Sequence, residues 1–366
     1  MTPARAAAWL AVLAGALAAG CESRPATAAA VWPAADALFH GDARWIGGDG
    51  AYSVDLGDGR VLWLFGDSFI ALGPERLRGH AKMIRNSVAI QTGADPTRAF
   101  MRFYWRHGGA EPQSFLPEDG ADWFWPAHGV RLDDTLLLFY ARVYQEGEGM
   151  WGFAGRGWRA VTVDRPAAEP AAWVLAPALA PAPRGGIDLG GAVVRVDDYL
   201  YVYGTATRDA SLIIASYRAH DLYLARFAVA AAARGDLTAP AWWCGASGWS
   251  ATGAPAVVLA GGAPEYSVHY EPRLGAYAMV QSEGAWASTL ALRTAARPEG
   301  PWSAPRDLLR PPESYGPDPF VYAGKAHPEI AGADLVVTYV PSSFATPAPA
   351  DEERLYYPRF VRVSFP

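Results

Sequence analysis

Acidic side chains at two neighbouring positions offer the first chemistry in this sequence. The stretch "GGDGAYSVDLGDGRVLWLFGDSF" (Gly47 to Phe69) holds two hydrophobic runs joined by a tight turn, with Asp49 before the first run and Asp67 after the second. An antiparallel hairpin enters and leaves at the same end, so the spacing predicts two carboxylates close together. Such acids can divide labour: one keeps a proton because neighbouring negative charge favours it, and another stays anionic. Glycoside cleavage needs that division. One carboxylic acid protonates the leaving oxygen, and a second carboxylate attacks the anomeric carbon or activates water. Asp188 in "GGIDLGG" and Glu265 in "GGAPEYS" become candidates for the same set once the strands around them are found.

A recurring pattern supplies those strands: a short strand, a turn with Asp or Gly, then a strongly hydrophobic strand. It appears at Tyr52 to Asp67, Gly129 to Arg142, Ala192 to Thr205, Tyr266 to Gln281 and Ile330 to Val340. Third strands fit Asn86 to Thr92, Leu222 to Val229 and Ser288 to Ala295, and "AFMRFYW", "AWVLAP" and "PWSAPRDLL" fit as fourth strands. No long amphipathic helix pattern interrupts them. Repeated four-stranded units predict an all-β chain folded as a five-bladed β-propeller over residues 37–366. Ordinary meanders in a sandwich are the other reading.

In a propeller blade the innermost strand starts at one mouth of the central channel, and the second strand returns to it. Asp49 and Asp67 then share a mouth, which Arg85, Asn86 and Ser87 approach before the third strand. The same rule brings Asp122, Trp123, Trp125 and His128 from the second unit, Asp188 from the third, Glu265 and the adjoining Tyr266 from the fourth, and His327 and Glu329 from the fifth. Asp58, Asp133, Asp134, Asp197 and Asp198 are turn residues, where Asp tolerates the backbone angles required.

Composition narrows the classes. The chain of 366 residues is 51% hydrophobic, enough for a large core, with a formal charge of −6. That balance argues against a nucleic-acid partner, which calls for a clustered basic face. The 7 His and 2 Cys lack zinc-like spacing. There is no Gly-rich phosphate loop before a helix and no Gly-x-Ser-x-Gly elbow. Carboxylate chemistry of this kind requires no cofactor. The 15 Trp, 17 Tyr and 14 Phe serve mainly the core of a β-rich fold. Beside the acids, Trp123 and Trp125 have rings suited to a sugar cleft.

The first 20 residues have a basic start at Arg5 and an apolar stretch from Ala6 to Gly20, too short for a spanning helix and consistent with a signal peptide. The run Leu17-Ala18-Ala19-Gly20-Cys21 resembles a bacterial lipoprotein signal, which implies a diacylated Cys21 after cleavage. Ordinary secretion with an incidental cysteine is the other reading. The Ala- and Pro-rich residues 21–36 read as a tether between lipid and fold. Cys244 reads as a buried thiol.

The opening hairpin, "MIRNSV" and "APEYSVHY" resemble bacterial domains linked to endo-D-arabinanase activity, themselves similar to the five-bladed propeller glycosidases that include arabinanases, xylosidases and fructosidases. The resemblance covers nearly all of the chain after about residue 37. It implies Asp49 as base or nucleophile, Asp188 as the orienting carboxylate and Glu265 as general acid, with Asp67 the rival of Asp188. Asp49 is followed here by Gly-Ala and Asp188 by Leu, where the wider group commonly has Pro close behind the acid. His327 is implied as a ligand of a structural calcium in the channel; a hydrogen-bonded His beside the cleft is the alternative. The expected protein is a monomeric, lipid-anchored extracytoplasmic enzyme of the bacterial envelope, at the outer membrane, acting on a polysaccharide. A catalytically silent glycan-binding lipoprotein is the alternative. If Cys21 carries the lipid, Cys21→Ser releases the protein from the membrane fraction, because acylation supplies much of the anchoring. Fractionation and the mass of the native N-terminal peptide check this.

Overall fold

The structure, a computed structural model, describes residues 27–149, 152–207, 220–284, 288–315, 319–330, 332–343 and 354–365. The leader and Cys21 lie outside the described residues. Five antiparallel sheets form the body. Blade one is Tyr52–Gly57, Arg60–Phe65, Ser87–Thr92 and Phe100–Tyr104, from the channel outward. Blades two, three and four begin with the inner strands Asp122–Leu132, Asp188–Val196 and Tyr266–Glu271. Blade five begins with Pro319–Ala326, continues through Leu335–Ser343 and Arg359–Ser364, and takes its outermost strand, Ala28–Val31, from the other end of the chain.

The hydrophobic patterning explains why these sheets stack. Alternate residues of a strand point to opposite faces. In Arg60–Phe65, Val61, Trp63 and Phe65 join a core with Val336, Tyr357 and Phe360 of blade five. Leu62 and Leu64 join another with Phe124, Leu136 and Leu138 of blade two. Both faces of the strand are covered, so its sequence reads as a continuous apolar run. Three further clusters fill the spaces between blades two and three, three and four, and four and five. The fold is a five-bladed propeller. Its tight turns match the sequence reading: Asp58 and Gly59 both have positive φ, 53° and 70°, between paired Gly57 and Arg60. That is the two-residue geometry that twists with the strands.

Two expectations change. First, residues 27–36 are part of the fold and not of a tether. Ala28 pairs with Ser364 and Val31 with Val361, closing blade five. A short helix, Pro33–Asp36, follows; the Asp36 carboxylate accepts the Phe360 backbone N–H at 2.7 Å. Second, the inner strand of the fifth blade is Pro319–Ala326, and the run from Ile330 belongs to the next strand. Ala323 has a φ of 58° and the pairing shifts register between Tyr322 and Lys325. This bulge broke the period-two signal. His327 and Glu329 therefore follow the inner strand and lie towards the end of the channel opposite Asp49.

Asp36 ties the short helix to the strand Arg359–Ser364, accepting the Phe360 N–H and pairing with Arg359 at 3.4 Å. Asp36→Ala leaves the Phe360 N–H unsatisfied and should lower the free energy of unfolding by about 1–3 kcal/mol. Urea denaturation of the two proteins measures it.

Candidate active site

The first hairpin sets the site's floor. The Asp49 carbonyl accepts hydrogen bonds from Ala51 at 3.0 Å and Gly66 at 2.9 Å, which ties the entry of the hairpin to its exit. A Cβ at Gly66 would come within 2.3 Å of Asp49 Oδ1, so a side chain there would displace the carboxylate. The Asp49 carboxylate then accepts two phenolic hydrogen bonds at Oδ2, from Tyr322 at 2.8 Å and Tyr356 at 3.1 Å. Tyr356 is delivered from the far end of the chain by Arg78. That guanidinium is buried and donates to the Ile46 carbonyl at 2.8 Å and the Leu355 carbonyl at 2.6 Å.

Asp67 sits beside Asp49 with different partners. Trp125 Nε1 donates to its Oδ1 at 2.8 Å, and Arg85 reaches its Oδ2 at 3.2 Å. Arg85 also lies 4.2 Å from the ring centre of Trp123. Across the mouth, Glu265 Oε2 accepts from Lys325 Nζ at 2.5 Å. The Lys325 side chain is 1% exposed; its ammonium also donates to the Ala323 carbonyl at 3.0 Å and lies 4.3 Å from the centre of the Tyr52 ring.

Electrostatics differ among these acids. Burial, then the charges of Asp67 and Glu265, push Asp49 up to about 8 against the two tyrosine hydrogen bonds. Burial also raises Asp67, opposed by Arg85 and Trp125. Asp188 is raised to about 6 by burial. Its carboxylate faces Gly155 and Gly157, where an added Cβ would stand 3.7 and 3.9 Å from its oxygens. The acids whose charges act on Asp49 are thus Asp67 and Glu265, while Asp188 occupies a separate station on blade three.

The sequence-derived set is therefore sorted. Asp49, Asp67, Glu265, Arg85 and Trp125 converge, and Trp125 is half-buried with its ring edge-on to Phe153 at 4.7 Å. Trp123 is buried beneath Arg85, so it cannot be the sugar platform. Asn86 is a structural clamp: it donates to the carbonyls of Leu116 and Phe124 and accepts from the Leu116 N–H. Tyr266 is fully buried between blades three and four. Asp122 is buried in ion pairs with Arg142 and Arg156.

His128 is a wall residue, with Nδ1 accepting from the Val193 N–H at 2.9 Å and Nε2 donating to the Ser53 carbonyl at 3.1 Å. Burial holds it down at about 4. Glu329 lines a separate cavity of about 240 Å³, with His128, His269 and Tyr270, and is no part of the mouth. Tyr322, Lys325 and Tyr356 complete the site and were missed. Lys325 carried a signal, a lone cation in "VYAGKAH" within an otherwise apolar run.

A calcium at His327 does not fit the residues present. Its Nδ1 is 2.5 Å from Ser53 Oγ and its Nε2 is 2.7 Å from Thr338 Oγ1, so both ring nitrogens are engaged. Among the described residues no three His, Cys, Asp or Glu side chains are grouped to hold a metal ion.

The chain belongs to the family of the domain of unknown function DUF5005, whose model matches residues 34–365. No curated protein matches the sequence. Among solved structures, a Bacteroides ovatus protein described provisionally as a hydrolase superposes with a TM-score of 0.70 at 17% identity, over 92% of this chain and 90% of that one. A xylan β-1,4-xylosidase from Bacillus halodurans C-125 superposes with a TM-score of 0.50 at 12% identity, over 87% of this chain and 52% of that one. At these identities the likeness establishes the shared fold.

Asp49 binds its proton more tightly folded than unfolded, so it favours the folded state most at low pH. That advantage is lost as pH rises from about 4 towards 8, at no more than about 1.4 kcal/mol per pH unit. Asp49→Asn, which keeps an oxygen for both tyrosines and carries no charge, should gain stability relative to the wild type as pH rises through that window. Above about pH 8 the difference should level off. Thermal unfolding between pH 4 and 9 checks it.

Proposed function

We propose that this protein is a glycoside hydrolase that cleaves an extracytoplasmic polysaccharide, with an arabinan as the leading substrate. The observation that carries the reading is the convergence of Asp49, Asp67 and Glu265 at one channel mouth, with one of the three disposed to hold a proton near neutral pH. A mouth that sets an acid held only by neutral donors beside acids paired with cations is suited to acetal hydrolysis. Trp125, half-buried and hydrogen-bonded to Asp67, offers an indole beside the acids for a sugar ring. The propeller fold shared with a xylosidase supports the reading, as do the opening-hairpin and blade-four motifs. Location at the envelope through Cys21 and action as a monomer complete the proposal.

One observation favours the second reading, a propeller that binds glycan without cleaving it. The Lys325 ammonium occupies Glu265, the acid that the family resemblance makes the proton donor. Cleavage then needs another acid as the proton donor.

A screen of the purified protein against plant and mycobacterial cell-wall polysaccharides, reading new reducing ends, decides between them. Cleavage that Asp49→Asn lowers by about 10²–10⁴-fold, with glycan binding kept, is the expected result. Binding with no cleavage of any polysaccharide establishes the second reading. Trp125→Ala should raise KM more than it lowers kcat.

A further inference from the structure

Three carboxyl groups and one ammonium share the channel mouth, and the ammonium is the least expected. Lys325 is fully enclosed, yet its Nζ has a full set of neighbours: Glu265 Oε2 at 2.5 Å, the Ala323 carbonyl at 3.0 Å and the face of Tyr52 at 4.3 Å. A buried ammonium persists only when it is paired and hydrogen-bonded. Burial pulls Lys325 below its ordinary range, while Glu265 and Asp49 push it back up. Its strand bulges at Ala323, which lets Tyr322 and Lys325, three residues apart, both serve the mouth: Tyr322 bonds to Asp49 and Lys325 to Glu265. One backbone irregularity thus supplies a neutral donor to one acid and a cation to the other.

We propose that Lys325 is the fixed cation of this site, a positioning residue that holds Glu265 as a carboxylate, so that Asp49 and not Glu265 is the proton donor. This rests on the glycosidase reading for the chemical step, and on the partners of each acid for the distribution of charge. In that step the Asp49 carboxyl gives its proton to the glycosidic oxygen as the bond from the anomeric carbon breaks, the electron pair staying on that oxygen. A water oxygen bonds to the same carbon and its proton passes to Glu265. One water is consumed, and solvent exchange returns the proton from Glu265 and reloads Asp49. Facing Asp49 are Tyr322 from blade five, Tyr356 from the 354–357 segment, Asp67 with its partner Arg85, and Glu265 with Lys325.

The first test needs no substrate. Carboxyl resonances of the full chain labelled with [13C]aspartate are followed through pH, with Asp49 assigned from Asp49→Asn. In the wild type Asp49 should titrate near 8. Lys325→Met removes a cation that favours the anionic form, so the titration should move to higher pH; Lys325→Arg should restore it. Glu265→Gln removes a nearby negative charge and should move it to lower pH, a second perturbation made from a partly exposed position. An Asp49 titration unchanged in both Lys325→Met and Glu265→Gln overturns the proposal.

The second test is kinetic. Asp49→Asn should lose at least tenfold more activity on the glycan than on an activated aryl glycoside, which needs little protonation, whereas Glu265→Gln should lose both alike. The reverse pattern makes Glu265 the donor and overturns the proposal. Lys325→Met should lower kcat with little change in KM and carry the alkaline limb of the pH profile upward with the Asp49 titration, and Lys325→Arg should recover both. If the wild type cleaves neither substrate, the glycosidase reading fails, and the resonances alone decide whether Lys325 governs the charge at Asp49.

Discussion

A carboxylate taken out of water must find a partner or keep its proton. The channel mouth of this propeller is organised around that constraint, because it collects three acids in a space that excludes most solvent. Asp67 is answered by a guanidinium and an indole N–H, Glu265 by an ammonium, and Asp49 by two phenols that cannot neutralise it. Burial and its charged neighbours push the acid with only neutral donors up to about 8, whereas at Asp67 the guanidinium and the indole N–H oppose the rise that burial causes. The partners come from four stretches of chain: Arg85 from blade one, Trp125 from blade two, Tyr322 and Lys325 from blade five, Tyr356 from the segment that Arg78 pins. The closed ring of blades is therefore a condition for the site's electrostatics as well as for its core.

Much of the fold was legible because blades one to four announce themselves locally. Asp-containing two-residue turns sit between the apolar runs of blades one to three, and a four-residue turn, Pro272 to Gly275, does so in blade four. Both faces of the second strands are buried, so the runs are long and unmistakable. Blade five was not legible in the same way. Its inner strand contains the bulge at Ala323, and its outermost strand comes from the opposite end of the chain as "AAAV", which has no β-branched or aromatic signature except Val31. Pairing across that sequence distance leaves no local trace, and Ala28–Val31 reads as a linker.

The site was legible to the extent that strand direction determines position. Asp49, Asp67 and Glu265 follow from knowing which strand ends meet at the mouth. Trp125 alternates with Trp123 along one strand, and the structure shows which of them Arg85 covers. Asn86 and Tyr266 stand beside mouth residues in sequence, but a strand turns neighbouring side chains to opposite sides, and both point into packing. The misplaced register of blade five carried Glu329 to the wrong end. Tyr356 had no signal at all, since its place depends on Arg78 gripping a carbonyl far along the chain.

The pairing of Ala28–Val31 with Arg359–Ser364 sets an order of events during synthesis. Ala28–Val31 has no neighbour in its sheet until Arg359–Ser364 has been made, so four blades can stack while the fifth stays open at its seam. Non-local pairing of this kind is slow to form, and a strand that waits unpaired is exposed to the edges of other chains. Three successive alanines are a mild solution to that wait: small side chains with little β-preference give a premature partner little to hold, yet suffice once the ring presents a ready-made edge.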